Sequence, residues 1–92
     1  MKIFVIGSMI NSKEIEFAAR ALKTVEGNTV RYVNPIDEEI ENISCAINKE
    51  FDNIEWCDIV YIVRENNGEL GDRTTCEIEY ARRLRKEINY LN

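Results

Sequence analysis

With 92 residues the chain makes one domain, residues 1–92, and a domain this small buries only about 60–65% of its extended-chain surface, so a single thin core is the most it can build. Its 45% hydrophobic and 32% charged content excludes a disordered chain. A net charge of −5, from 17 acidic and 12 basic residues, is the wrong sign for gripping duplex DNA or RNA by the phosphate backbone.

There is no histidine, which excludes imidazole chemistry, and Cys45, Cys57 and Cys76 are widely separated with no CxxC pair. That pattern argues against a zinc site and against a disulfide framework, so neither metal nor cofactor is expected. Three reduced thiols in a cytoplasmic protein are the simplest reading. No apolar run approaches the roughly 18–20 residues of a membrane span, so no membrane partner is expected. Met1 leads straight into a strand-like run, and no leader peptide is expected.

In chain order, Lys2 to Ile6 (KIFVI) is a continuous apolar run ending at Gly7-Ser8, as suits a strand buried on both faces. Asn11 with Glu14 three residues on reads as a capping box. The helix from about Ser12 to Glu26 should bury Ile15, Ala18, Ala19, Leu22 and Val25, with Gly27-Asn28 ending it. Thr29 to Val33 (TVRYV) is the second strand, stopped by Asn34-Pro35. Asp37 can cap the next helix, whose stripe is Ile36, Ile40, Ile43, Ile47, Phe51 and Ile54; Glu50 sits at its edge, as a solvated residue would. Trp56-Cys57 is a junction, and Asp58 to Val63 (DIVYIV) is the third strand. The polar, glycine-containing stretch Arg64 to Arg73 exceeds the usual two to six residues of a βα loop. The last helix spans about Thr74 to Lys86, and Glu87 to Leu91 (EINYL) is a fourth strand.

Alternating strands and helices imply an α/β fold: a flavodoxin-like three-layer sandwich with a four-stranded parallel sheet in the order 2-1-3-4. Ligands bind such sheets outside the carboxyl ends of the strands where the order reverses. That point lies between the first and third strands, at the loops Gly7–Asn11 and Arg64–Arg73. The helix opening after the second loop is unusual. Its stripe is Tyr80, Ala81, Leu84 and Ile88, and stepping back four residues from Ala81 puts Glu77 on it, in the first turn. Glu79 falls instead on a charged face with Arg82, Arg83 and Lys86, as half of ordinary surface ion pairs. A carboxylate turned inward near a helix N-terminus is tolerable because the helix dipole favours an anion there.

These residues resemble the nucleoside 2-deoxyribosyltransferase family and the related 2′-deoxynucleoside 5′-monophosphate N-glycosidases. The likeness lies in Ile3-Phe4-Val5-Ile6-Gly7-Ser8, in Glu50 before Cys57-Asp58-Ile59-Val60, and in Gly71-Asp72-Arg73-Thr74-Thr75-Cys76-Glu77-Ile78-Glu79-Tyr80-Ala81. It covers nearly the whole chain. The resemblance implies that Glu77 is a nucleophile attacking the anomeric carbon of a deoxyribosyl group, which requires it to be ionised near neutral pH. Asp72 would orient the sugar or handle a proton on the base, and Glu50 stands where the family usually has aspartate. Gly7, Ser8 and Thr74 would bind sugar or phosphate oxygens. The partner implied is a small nucleoside or nucleotide, and a homo-oligomer is expected.

The sequence also departs from the family pattern. The family aspartate lies six residues before the nucleophile, where this chain has Gly71 and places Asp72 five before. Arg73 and Glu79 occupy family glycine positions. Because the sequence ends just past the fourth strand, the C-terminal extension that supplies an asparagine to a neighbouring transferase subunit is expected to be missing. Arg73 suits a phosphate grip, which tilts the expectation toward a nucleotide hydrolase or a nucleotide binder without turnover. An interaction module pairing through the fourth strand is a further alternative.

Overall fold

The computed structural model describes residues 1–8, 11–33, 43–65, 68 and 70–92, with 43–49 described by their backbone alone. Among these residues the elements run β1 (Lys2–Gly7), α1 (Ser12–Lys23), β2 (Thr29–Tyr32), α2 (Ile43–Trp56), β3 (Ile59–Val63), α3 (Asp72–Arg83) and β4 (Glu87–Tyr90). The four strands form one parallel sheet in the order β2-β1-β3-β4. The expected topology, with its reversal between β1 and β3, is therefore present.

Side-chain alternation along the two central strands makes the layers. Ile3, Val5, Ile59 and Val63 face one side and pack with Ile15 and Ala19 of α1 and Val30 of β2. Phe4, Ile6, Val60 and Ile62 face the other and pack with Ile54 of α2 and Ile78 and Ala81 of α3. Gly7 ends β1 at a pinch. A Cβ there would lie 2.8 Å from the Val63 carbonyl oxygen and 2.9 Å from Ile15 Cδ1, so only glycine lets β1, β3 and α1 converge this closely.

Several element ends differ from the sequence expectation, each for a local reason. Asn11 occupies the N-cap position of α1 but makes no side-chain cap bond, so the capping box is absent. Its side chain is buried and its Oδ1 has no partner among the described residues. Helix α1 stops at Lys23 because its last carbonyls are taken by side chains: the Thr24 hydroxyl donates to Ala21 O (2.6 Å) and Asn28 Nδ2 to Leu22 O (3.1 Å). Val25 is consequently outside the helix and 55% exposed instead of buried. Leu84 likewise falls past the end of α3 and is 39% exposed, and Ile78 takes its place in the core. Lys86 is not on the α3 surface either. Its ammonium donates to Glu55 O (3.0 Å) and Cys57 O (2.7 Å), capping the C-terminal end of α2. Asp37, Ile36 and Ile40 lie outside the described residues, as do the side chains of Ile43, Ile47 and Cys45. Trp56 is the last residue of α2 and lies under the Arg31 guanidinium, 4.0 Å from the ring centre.

Candidate active site

Helix α3 begins at Asp72, two residues earlier than expected, with Gly71 as its N-cap and no side-chain cap bond. Its buried stripe is Thr74, Glu77, Ile78 and Ala81, spaced three, one and three apart. Glu77 thus sits inside, while Glu79 is exposed and pairs loosely with Arg82 at 4.0 Å. The early start moves Glu77 into the second turn, where the helix dipole helps an anion little.

Glu50 is buried too, contrary to the solvated edge position expected for it. The spacing Glu50, Ile54, Cys57, four and then three, was the available signal: it defines the inward stripe of α2, with Phe51 on its flank. Phe51 stacks on Tyr80 (4.2 Å between ring centres), and the Tyr80 hydroxyl donates to Glu55. These contacts clamp α2 to α3 beside the two buried acids.

Between those acids lies Arg73. Its Nε donates to Glu50 Oε2 (2.9 Å) and its Nη2 to Glu50 Oε1, a two-pronged pair, while the same Nε lies 3.6 Å from Glu77 Oε1. The side chains of Glu50 and Glu77 are each 4% exposed and that of Arg73 is 30% exposed. Two carboxylates and one guanidinium in a buried site leave one negative charge without a partner. Burial foremost, and then the neighbouring Glu50, push Glu77 up to about 10, against a smaller opposing pull from Arg73. Burial thus works against the ionised Glu77 that the family resemblance requires, and Arg73 works for it.

A crevice of about 200 Å³ opens at the sheet's reversal point, lined by Gly7, Ser8, Val33, Glu50, Gly71, Asp72, Arg73 and Thr74. Six of the seven candidate residues read from the sequence therefore share one cavity. The seventh, Glu77, does not line it; its Oε1 lies 3.6 Å from Nε of Arg73, which does. Thr74 is buried and Asp72 is exposed at the rim. Ser8 donates its hydroxyl to Glu65 Oε1 (2.9 Å), tying the loop after β1 to the loop after β3. Glu65 was passed over in the sequence, although its place two residues beyond β3, opposite Ser8, marks it for this mouth.

No family model and no curated protein matches the sequence. Among solved structures, the chain matches a 2-desoxiribosyltransferase from Leishmania mexicana with a TM-score of 0.67 and 20% sequence identity, over 97% of this chain. Its fold is that of a deoxyribosyltransferase. The chain spans 62% of the length of that structure. The deoxyribosyltransferase fold accounts for the strand order and for the crevice at the carboxyl ends of β1 and β3. It leaves the chemistry to be argued from the residues themselves.

Proposed function

We propose that this chain acts on the N-glycosidic bond of a 2′-deoxynucleoside or its 5′-monophosphate, cleaving or transferring it with Glu77 as nucleophile. One observation carries the reading: two buried carboxylates, Glu50 and Glu77, are held against one guanidinium beside a crevice at the sheet's reversal point. Such a cluster is costly to bury, and a strongly shifted acid such as Glu77 is a mark of sites that do chemistry. The crevice volume is below the ~300–1,000 Å³ of pockets for larger ligands, so it suits a pentose or a phosphate with the base outside. In this reading Ser8, Thr74 and the backbone at Gly7 hold sugar or phosphate oxygens, Asp72 orients the sugar, Glu50 handles the proton, and Arg73 grips a 5′-phosphate.

A second reading has its own support. Burial pushes the Glu77 carboxyl well above the usual carboxylate range and Glu77 does not line the crevice, which favours a protein that binds a nucleotide-like ligand without turning it over. Incubating the protein with deoxynucleosides and their 5′-monophosphates and assaying free base separates the two. Base release that falls by at least about 10²-fold in Glu77→Ala is the expected result. Thermal stabilisation by a nucleotide with no base released would instead establish the binder. Neither effect would sink both readings and leave an interaction module working through β4.

The free thiols of Cys57 and Cys76 fit a cytoplasmic setting. No helix among the described residues is long and apolar enough to cross a membrane. A homo-oligomer belongs to the same reading, supported by the thin core and by large apolar side chains left at the surface, Phe17 at 76% exposure foremost.

A further inference from the structure

We infer that Glu65, acting through Ser8, sets the polarity of the crevice: the Ser8 end accepts a hydrogen bond from a ligand hydroxyl and turns away a phosphate, which is left to the Arg73 end. This rests on the nucleotide reading above and deepens it, since it selects a ligand with a 5′-phosphate and a free 3′-hydroxyl. Ser8 lines the crevice and Glu65 does not, so Glu65 is a positioning residue that works through its neighbour.

A serine hydroxyl has one proton to donate and two lone pairs to accept with, whereas a carboxylate only accepts. The Ser8 hydroxyl donates to Glu65 Oε1 at 2.9 Å in a half-buried setting, so its one proton is committed. What Ser8 has left to offer a ligand is lone pairs. Those suit a hydroxyl, which donates, and repel a phosphate oxygen, which does not. The carboxylate charge behind Ser8 adds to the repulsion, and among the described residues no ion pair neutralises it.

Glu65 is held for this task from both sides. Before it, the Arg64 N–H donates to Asn92 Oδ1 (2.7 Å) and Asn92 Nδ2 donates to the Arg64 carbonyl (2.8 Å), so one side chain continues the β3–β4 pairing past the bond from Leu91 N–H to Ile62 O. The neighbouring Arg64 guanidinium is engaged with Asn92 O (2.8 Å) and the Tyr90 ring. After it, the Gly68 N–H closes a turn onto the Glu65 carbonyl (2.8 Å), with Gly68 at a φ of 80°.

Across the same crevice stand the cation of Arg73 and the start of α3, which has no side-chain cap. An anionic group belongs there. A 2′-deoxynucleoside 5′-monophosphate has a single sugar hydroxyl, at C3′, and it is the donor that Ser8 would take. A pentose held by its phosphate at one end and by that hydroxyl at the other has its ring orientation fixed.

Three ligands without a glycosidic bond read binding apart from turnover: 1,2-dideoxyribose 5-phosphate, its 3-deoxy counterpart and its 3,5-bisphosphate. Calorimetry gives their dissociation constants for wild type, Ser8→Ala, Glu65→Ala and Glu65→Gln, the last keeping the side chain's reach without its charge. In wild type both altered ligands should bind about tenfold more weakly than the 5-phosphate. Ser8→Ala should erase the penalty for losing the 3-hydroxyl. Both Glu65 variants should shrink the bisphosphate penalty by at least about threefold. A role confined to tying the loops together would weaken all three ligands alike in the variants and leave their ratios unchanged. That result overturns the proposal, as does a wild type indifferent to the 3-hydroxyl. If none of the three binds wild type, the proposal falls together with the nucleotide reading. The expected ratios with no base released from any deoxynucleotide sink the glycosyl-transfer reading alone, and base release with unchanged ratios sinks this proposal alone.

Discussion

In an unfolded chain Glu77 would titrate near its ordinary value of 4.5, whereas in the folded protein burial and Glu50 push it up to about 10. Below 4.5 both forms hold the proton, and between the two values only the folded form does. The unfolded state therefore binds fewer protons across that window, and stability falls as pH rises, by at most about 1.4 kcal/mol per pH unit from this group. Above the folded value the slope vanishes. Glu77→Gln is permanently neutral and keeps an N–H to offer Glu50. Its urea midpoint relative to wild type should climb steadily between about pH 5 and pH 9; a constant difference would mean the proton is not held. Gly7 makes a different residue-scale case. The tip of Ile15 can give way to an added methyl, but the Val63 carbonyl belongs to the neighbouring strand and cannot. Gly7→Ala should cost about 1–3 kcal/mol in equilibrium unfolding, and a variant as stable as wild type would show that β1 and β3 are not pinched there.

Helix α3 carries the element-scale argument, because its uncapped first turn opens on the crevice. A Cβ at Gly71 would meet nothing, and its backbone is already extended, as an N-cap requires. Gly71→Asp should therefore raise stability by a few tenths of a kcal/mol while its carboxylate occupies the N–H groups a ligand anion would use. The expected pair of results is a slightly higher melting temperature and a weaker nucleotide-induced shift. Ligand stabilisation undiminished in the variant would remove the helix start from the binding site. The stripe that turns Glu77 inward was legible in the sequence, because a 3.6-residue period survives any uncertainty about where the helix begins. The helix ends were not. The end of α2 is met by Lys86 from 31 residues away, which no local pattern encodes, while the end of α1 rests on Thr24 and Asn28 side chains three and six residues from the carbonyls they reach. Glu50 was misjudged because Phe51 beside it is larger and drew the stripe one residue over. The state of Glu77 was hidden for the same reason, since it depends on a partner from another helix.

At the scale of the whole molecule, the strand order predicts where the backbone opens last. Strands β1 and β3 are hydrogen-bonded on both sides and covered by helices on both faces, with Phe4, Val5, Val60 and Ile62 inaccessible to solvent. Strands β2 and β4 are edges, each paired on one side only among the described residues. Amide hydrogen exchange in a dilute monomer should accordingly be slowest at Phe4–Ile6 and Val60–Ile62, approaching the global unfolding free energy, and faster along Thr29–Tyr32 and Glu87–Tyr90. Concentration then tests assembly. A second copy that adds to the sheet must cover β2 or β4, and exchange along that strand should slow as protein concentration rises while the central strands stay unchanged. Slowing confined to helix α1, where Phe17 stands exposed, would put the contact on a helix face instead. Protection independent of concentration throughout would leave the chain monomeric, and its crevice would then have to work with this chain's residues alone.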